Sequence, residues 1–260
     1  MSRAEVDSAT FFGKRAGRYD DAYDTRSADG YALQARLDTV VSLAGHGPGS
    51  ALDCGMGPGR LAAALASRGW TVSGIDASAD MVDAAKRRLP DAAGRFAVAR
   101  IESLPFDDGC FDLVTATGVL EYADVPAALA EIVRVVRRGG RVVLSYPNPR
   151  ALYGVWKTRV FYPAVRAAKR VGGAPPAELP RGARPYPPDD FERLVEHAGL
   201  RVDAVRATSY LLLPSPLDAA LPRAAHAIGA TLERRTALPA LLATQIVFAS
   251  TSPLTDADRR

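Results

Sequence analysis

From Ser50 onward the chain alternates short aliphatic and β-branched runs with longer stretches whose apolar residues recur every three or four positions. The runs predict strands at Ala51–Cys54, Thr71–Asp76, Phe96–Ala99, Phe111–Thr115 and Arg141–Tyr146. The periodic stretches predict helices near Arg60–Arg68, Ala79–Leu89 and Pro126–Val136, the last with Leu129, Ile132, Val133 and Val136 on one face. Arg137-Arg138-Gly139-Gly140 reads as the end of that helix, with cations in its last turn and a glycine cap. Strands separated in this way by helices build a parallel sheet with crossover helices, a doubly wound α/β core.

The flanks carry other patterns. Residues 8–44 read as helical and hold a cluster of aromatics, Phe11, Phe12, Tyr19, Tyr23 and Tyr31. Residues 150–185 are rich in Arg, Pro, Gly and aromatics, and Pro188–Ala198 reads as a helix opened by Asp189. "LRVDAVRAT" and "TQIVFAS" read as two late strands, with a helical insertion near Leu217–Arg235 between them. The closing "STSPLTDADRR" reads as a frayed tail.

Composition narrows the class. A chain of 260 residues, 48% hydrophobic and 24% charged, can bury a sizeable core and is ordinary for a globular protein. The start has no apolar segment of signal-peptide length, and no stretch approaches the roughly 18 apolar residues that span a bilayer, so a soluble, cytoplasmic protein is expected. Cys54 and Cys110 form no CxxC pair and suggest no disulfide framework. The net charge of +4 is unevenly placed: Val142–Pro185 holds eight Lys and Arg against one acid, Glu178, leaving −3 on the remainder. That local excess points to a local anionic partner rather than to general nucleic-acid affinity.

"ALDCGMGPGR", residues 51–60, falls on the first strand-to-helix turn, where open α/β sheets bind ligands. Glycine lets the backbone approach a ligand with no Cβ in the way. A dinucleotide fingerprint, G-x-G-x-x-G, needs glycine where Arg60 stands, whereas Asp53, Gly55, Gly57 and Gly59 satisfy D-x-G-x-G-x-G. A cofactor without a pyrophosphate is favoured; a plain turn, with Asp76 as a helix cap, is the structural alternative.

Five blocks follow in order over residues 50–150: "LDCGMGPG", "GIDAS", "IESLPFDDGCFDLV", "TGVLEYADV" and "RRGGRVVLSYPNP". With them the chain resembles the class I S-adenosylmethionine-dependent methyltransferases, particularly the ubiquinone/menaquinone-biosynthesis-like branch. The resemblance implies a Rossmann-like α/β fold: a doubly wound, mostly parallel seven-stranded sheet with an N-terminal helical lid and helical insertions after strands 5 and 6. It divides the chain into a lid (1–45), a cofactor-binding core (46–150), a basic aromatic cap (151–185) and the C-terminal part of the core (186–250), with its helical insertion at about 214–240. It implies S-adenosyl-L-methionine as cofactor. The loop residues Asp53, Cys54, Gly55, Gly57 and Gly59 would lie along the methionine moiety, and Asp76 would accept hydrogen bonds from both ribose hydroxyls. A carboxylate has enough acceptor sites for a vicinal diol. Ala77 and Met81 would border the adenine, Ile101 and Glu102 would follow on its other side, and Thr117 completes the implied set.

Tyr19 in "GRYDDAYD" resembles a lid tyrosine that reaches the cofactor carboxylate, with plain aromatic packing as the alternative; Arg15 and Arg18 are further candidates for that carboxylate or are surface charges. Arg100 stands where the family often has an acid that accepts from the adenine amino group. Arginine cannot accept, which leaves backbone groups, Glu102 or apolar packing for that contact.

Methyl transfer is an in-line displacement with a neutral leaving group, so the enzyme mainly aligns nucleophile and methyl, and a base is needed only when the acceptor loses a proton. His46, His197 and His226 read as structural or exposed. Where relatives have "LEH" this chain has Leu120-Glu121-Tyr122; Glu121 and Tyr122 are the best-placed side chains near the methyl, with Tyr146 and Asn148 second and a pocket-shaping role as the alternative. Gly118 and Tyr122 replace the magnesium set of some quinone-type relatives, so no metal is expected.

In "RALYGVWKTRVFYPAVRAAKRVGG" a helix would align Leu152, Val155, Trp156 and Val160, and Pro163 would start a second short helix. Such an element fits peripheral contact with an anionic membrane through residues 150–171 and a lipidic acceptor, or a lid packed on the core with solvated cations. The function expected is O-methylation of a small-molecule or lipid-like acceptor of natural-product or quinone type. N- or C-methylation and a non-catalytic S-adenosylmethionine-binding protein are alternatives, and a nicotinamide oxidoreductase is disfavoured by Arg60. No nucleic-acid partner is expected, and nothing in the chain sets an oligomeric state.

Overall fold

A computed structural model describes residues 5–6, 8–14, 16–171, 179–180, 185–235 and 238–253. Three helices lead in: α1 (Ser8–Gly13), α2 (Ala16–Ala22) and α3 (Ala28–Ala44). Ser27 caps α3 by accepting from Gly30 N at 3.0 Å. Strands and helices then alternate: β1 (Gly49–Cys54), α4 (Arg60–Ala66), β2 (Trp70–Asp76), α5 (Ala79–Arg88), β3 (Phe96–Val98), β4 (Phe111–Thr117), α6 (Val125–Val135) and β5 (Val136–Pro147). A helical run follows, α7 (Leu152–Trp156), a π turn (Lys157–Phe161) and α8 (Tyr162–Val171), and then α9 (Pro188–His197), β6 (Arg201–Tyr210), α10 (Leu217–Ala220), α11 (Pro222–Glu233) and β7 (Ala243–Thr251). Glu5–Val6 also pairs with Leu179–Pro180.

The seven strands form one sheet in the order β3-β2-β1-β4-β5-β7-β6, parallel except that β7 runs antiparallel to both neighbours. Side chains alternate across each strand, so neighbouring apolar residues feed opposite layers. Leu52, Val114, Leu144 and Phe248 pack under α6 and α9, while Ala51, Leu113, Val143 and Val247 pack under α3, α4 and α5. Both faces are covered, which is why these strands are apolar throughout.

Four expectations are corrected. Arg137–Gly140 does not finish α6: Val136 already pairs with Phe111, Arg137 binds Asp112, and the peptide groups of Gly139 and Gly140 bond to Ser252. Strand pairing overrides the helix-stop signal, and Arg134 is the cation in the last turn. Pro163 starts no separate helix, because the π turn carries the helical run through it. Tyr31 stands apart from the expected aromatic cluster, donating to Glu233 Oε2 at 2.6 Å and facing His226. Ser250 and Thr251 belong to β7 rather than to a frayed tail, whose residues 254–260 lie outside the described residues.

Candidate functional site

The carboxyl ends of β1, β2 and β4 open onto a cavity of about 270 Å³, lined from the strands by Asp53, Asp76 and Thr117 and from the leading helices by Phe12, Tyr19 and Arg36. The glycine turn forms its floor. Gly55 and Gly57 have φ of 68° and 53°, which disfavours other residues. A Cβ on Gly55 would come 2.6 Å from Val119, whereas one on Gly57 would meet nothing within 4 Å. The turn is held by Ile75 O, which accepts from Gly55 N and Met56 N at 2.8 and 2.9 Å.

Asp76 ties this turn to the next, its Oδ2 accepting from Gly57 N and its Oδ1 from Ser78 N, both at 2.9 Å. Burial raises its pKa against those two hydrogen bonds. Asp53 is buried more completely. Its carboxyl is pushed up to about 7, chiefly by burial, with the Thr115 hydroxyl opposing the shift at 2.9 Å and Asp76 adding repulsion. Ala77, Met81, Ile101 and Glu102 continue the wall. Glu102 Oε1 accepts from Asp124 N at 3.1 Å and from Arg100 at 3.2 Å, so the arginine at the adenine-acceptor position is paired with the neighbouring acid.

Leu120 is buried in the core, and the short turn around it turns Glu121 and Tyr122 toward the cavity. Burial raises the Glu121 pKa. The Tyr122 hydroxyl is pushed up to about 12, first by burial and then by Glu121, so it stays protonated at neutral pH. Its ring meets Phe12 edge-on at 5.2 Å, and Phe12 meets Tyr19 at 6.0 Å.

Sequence reasoning missed Arg36. It is buried on the inner face of α3, with Nη2 donating to the Tyr19 hydroxyl at 3.4 Å. Burial opposes its charge, but Tyr19, Tyr23 and Glu121 outweigh that and keep it protonated. Gly118 makes room for it, since a Cβ there would lie 3.0 Å from Arg36 Nη1. The available signal was an arginine at a position where the helical period of α3 calls for an apolar residue. Arg60 also has a partner set that the motif did not reveal: it donates to Asp20 at 2.6 Å and Asp24 at 2.9 Å and lies over the Tyr23 ring. Arg88 binds Asp20 at 2.6 Å, so two cations hold α2 over the cavity.

Two residues of the glycine motif lie outside the lining. Cys54 points to the opposite side of β1 from Asp53 and is buried in the core, and Gly59 starts α4 with φ of 80°, where a Cβ would press on Ala85 at 3.0 Å. Tyr146 and Asn148 are also elsewhere: Tyr146 stacks on Phe191 at 4.1 Å, and Asn148 donates to the carbonyls of Ala240 and Ala243. None of the three histidines lines the cavity. Arg15 and the side chain of Arg18 lie outside the described residues. Among the described residues no group of three His, Cys, Asp or Glu forms a candidate metal cluster.

The cavity calls for a polar occupant. Among the described residues six buried side-chain polar atoms lack a hydrogen-bond partner, and three of them, Asp53 Oδ2, Thr117 Oγ1 and Glu121 Oε2, belong to its wall. Each costs about 1–3 kcal/mol unless a ligand satisfies it. Acceptors beside a buried guanidinium suit a ligand that carries ammonium, carboxylate and hydroxyl groups together.

The profile of a methyltransferase domain matches residues 52–144. A demethylmenaquinone methyltransferase of Beutenbergia cavernae is 35% identical over 181 residues, covering 64% of this chain and 73% of that relative. The chain belongs to the class I S-adenosylmethionine-dependent methyltransferases. The methyltransferase falls in their ubiquinone/menaquinone-like branch, and S-adenosylmethionine is its cofactor. It is also 33% identical over 140 residues to a malonyl-[acyl-carrier protein] O-methyltransferase of Serratia marcescens, covering 53% of this chain and only about half, 51%, of that relative. A solved S-adenosylmethionine-dependent methyltransferase of Thermotoga maritima, described as a possible histamine N-methyltransferase, shares its fold with a TM-score of 0.63 at 17% identity, over 94% of this chain and 99% of that one.

Proposed function

We propose that the enzyme methylates an oxygen of a small or lipid-like acceptor of natural-product or quinone type. The observation that carries this reading is the unpartnered Glu121 Oε2 in the cavity wall beside the Tyr122 and Phe12 rings. The bound cofactor supplies a methyl group on a sulfonium. Gly55 and Gly57 would admit its methionine part, Arg36 with Tyr19 would hold its carboxylate, and Asp53 and Thr117 would face its ammonium. Asp76 would take the ribose hydroxyls, and Ala77, Met81, Ile101 and Glu102 would enclose the adenine.

Phe12 and Tyr122 would position the acceptor, and Glu121 Oε2 would accept its hydroxyl proton as the oxygen bonds the methyl carbon, the carbon–sulfur bond breaks and a neutral thioether leaves. Tyr122 stays neutral and orients rather than deprotonates. The likeness to a malonyl-[acyl-carrier protein] O-methyltransferase supports oxygen as the atom methylated, and the likeness to a demethylmenaquinone methyltransferase supports a quinone-type acceptor.

The test uses methyl-labelled S-adenosylmethionine with fractionated host extract, followed by mass identification of the product. A methyl ether or ester is the expected product; a label on nitrogen or carbon, or tight cofactor binding with no transfer, overturns the reading. Glu121→Gln should lower kcat by about 10²–10⁴-fold with cofactor affinity nearly unchanged. A base acts ionised, so the wild-type rate falls as pH drops through the raised Glu121 pKa, and the variant loses that limb.

A further inference from the structure

Apart from Val98 and Val205 on the two edge strands, the exposed large apolar side chains of the described residues all come from two stretches, 152–162 and 212–241. The two stretches are packed together. Trp156 Nε1 donates to Ser215 O at 2.9 Å, and the Tyr153 hydroxyl donates to Asp218 at 2.5 Å. Tyr153, with Lys157 one turn on, forms the inward face of the helical run. Leu152, Trp156 and Val160, four residues apart, form an outward stripe that is 53%, 39% and 45% exposed, and Leu217 and Leu221 of the neighbouring element are 49% and 53% exposed. The expected stripe therefore faces away from the core, with Val155 only partly covered.

Charge complements this face. Among the described cations of the first stretch, Arg159 is exposed beside Val160 while Lys157 turns inward to Tyr153, and Arg223, Arg234 and Arg235 add exposed cations from the second stretch. The only acids of that stretch are engaged: Asp218 accepts from Tyr153 and Ser215, and Glu233 from Tyr31 and Thr208. A lipid surface meets both features at once, its acyl boundary taking the aliphatic side chains and its headgroup phosphates the cations.

We propose that the face built by α7, the π turn, α10 and the neighbouring residues 212–235 and 238–241 docks on an anionic bilayer. No helix among the described residues is long and apolar enough to cross a membrane, so the contact is with one surface. The proposal stands apart from the identity of the methyl acceptor, since none of these side chains lines the cavity.

The test is co-sedimentation of the full chain with vesicles of phosphatidylcholine alone or with roughly one-third phosphatidylglycerol, at about 0.05 M and 0.5 M salt. A Trp70→Phe background leaves Trp156 as the sole indole reporter. Anionic vesicles should bind at least about tenfold more tightly than neutral ones, less so at high salt, with a blue shift of Trp156 emission. Leu152→Glu/Val160→Glu should lose that binding about tenfold while thermal unfolding by circular dichroism stays unchanged, because both side chains are exposed. Arg159→Glu should weaken the anionic arm alone. Absence of binding at low salt, wild-type binding by the double variant, or a dimer in light scattering that the double variant dissolves would each overturn the proposal, the last by placing a second copy on this face.

Discussion

At the scale of single residues, burial sets the chemistry of the cavity acids. The Asp53 carboxyl, at about 7 in the folded protein, has its ordinary value near 3.8 in the unfolded chain. Below about pH 4 both states hold the proton and nothing is lost. Between about 4 and 7 the unfolded chain releases it while the folded protein keeps it, so folding weakens as pH rises, and above 7 the full cost, on the order of 4 kcal/mol, is present. Asp53→Asn should therefore raise the melting temperature of the cofactor-free enzyme at pH 8 but not at pH 4 by calorimetry, while weakening cofactor binding. Asp76 is bound to two backbone amides and faces the cavity. Asp76→Ala should weaken binding of S-adenosylhomocysteine by about 1–3 kcal/mol in titration calorimetry, and unchanged affinity would refute its role at the ribose. Both acids were legible in the motif spacing. Arg36 and Gly118 were not, because nothing local says that a helix arginine and a glycine after a distant strand share one space; Gly118 reads as a lost metal ligand until the guanidinium is seen against it.

At the scale of elements, α2 covers the cavity through ionic contacts as well as packing. Arg60 and Arg88 converge on Asp20, with Asp24 and the Tyr23 ring completing the contact. Exposed ion pairs contribute only about 0.2–1 kcal/mol each, but Arg60 is largely covered and binds two acids. Arg60→Ala should speed proteolytic cleavage of the cofactor-free enzyme within residues 16–27 and lower affinity for S-adenosylhomocysteine several-fold in titration calorimetry. The residue that breaks the dinucleotide pattern thus anchors α2 and the turn after it. The five core strands were read from apolar runs to within a few residues, since a sheet covered on both faces leaves a continuous apolar signature. The boundary at Val136 was not, because Arg-Arg-Gly-Gly is a good local helix stop and only the ladder with Phe111 and the bonds to Ser252 draw it into β5.

At the scale of the whole molecule, three unpartnered polar atoms in one cavity make the cofactor-free enzyme less stable than its loaded form. At about a hundred times its dissociation constant, S-adenosylhomocysteine should stabilise the fold by about 2.7 kcal/mol, roughly 5–10 °C in melting temperature, whereas NAD should give no shift in the same scan. The strand and helix periods, the Asp-Gly-Gly-Gly spacing and Asp76 are written along the chain, because each depends on neighbours within a few residues or on a fixed crossover length. They were enough to predict the α/β core and the S-adenosylmethionine cofactor. Packing alone set which side of residues 152–160 faces outward, which polar groups gather at the strand ends, and which motif residues stay out of the cavity. Those outcomes rest on contacts between distant segments, as when Tyr153 is held by Asp218, 65 residues away, and no local pattern along the chain records such a partner.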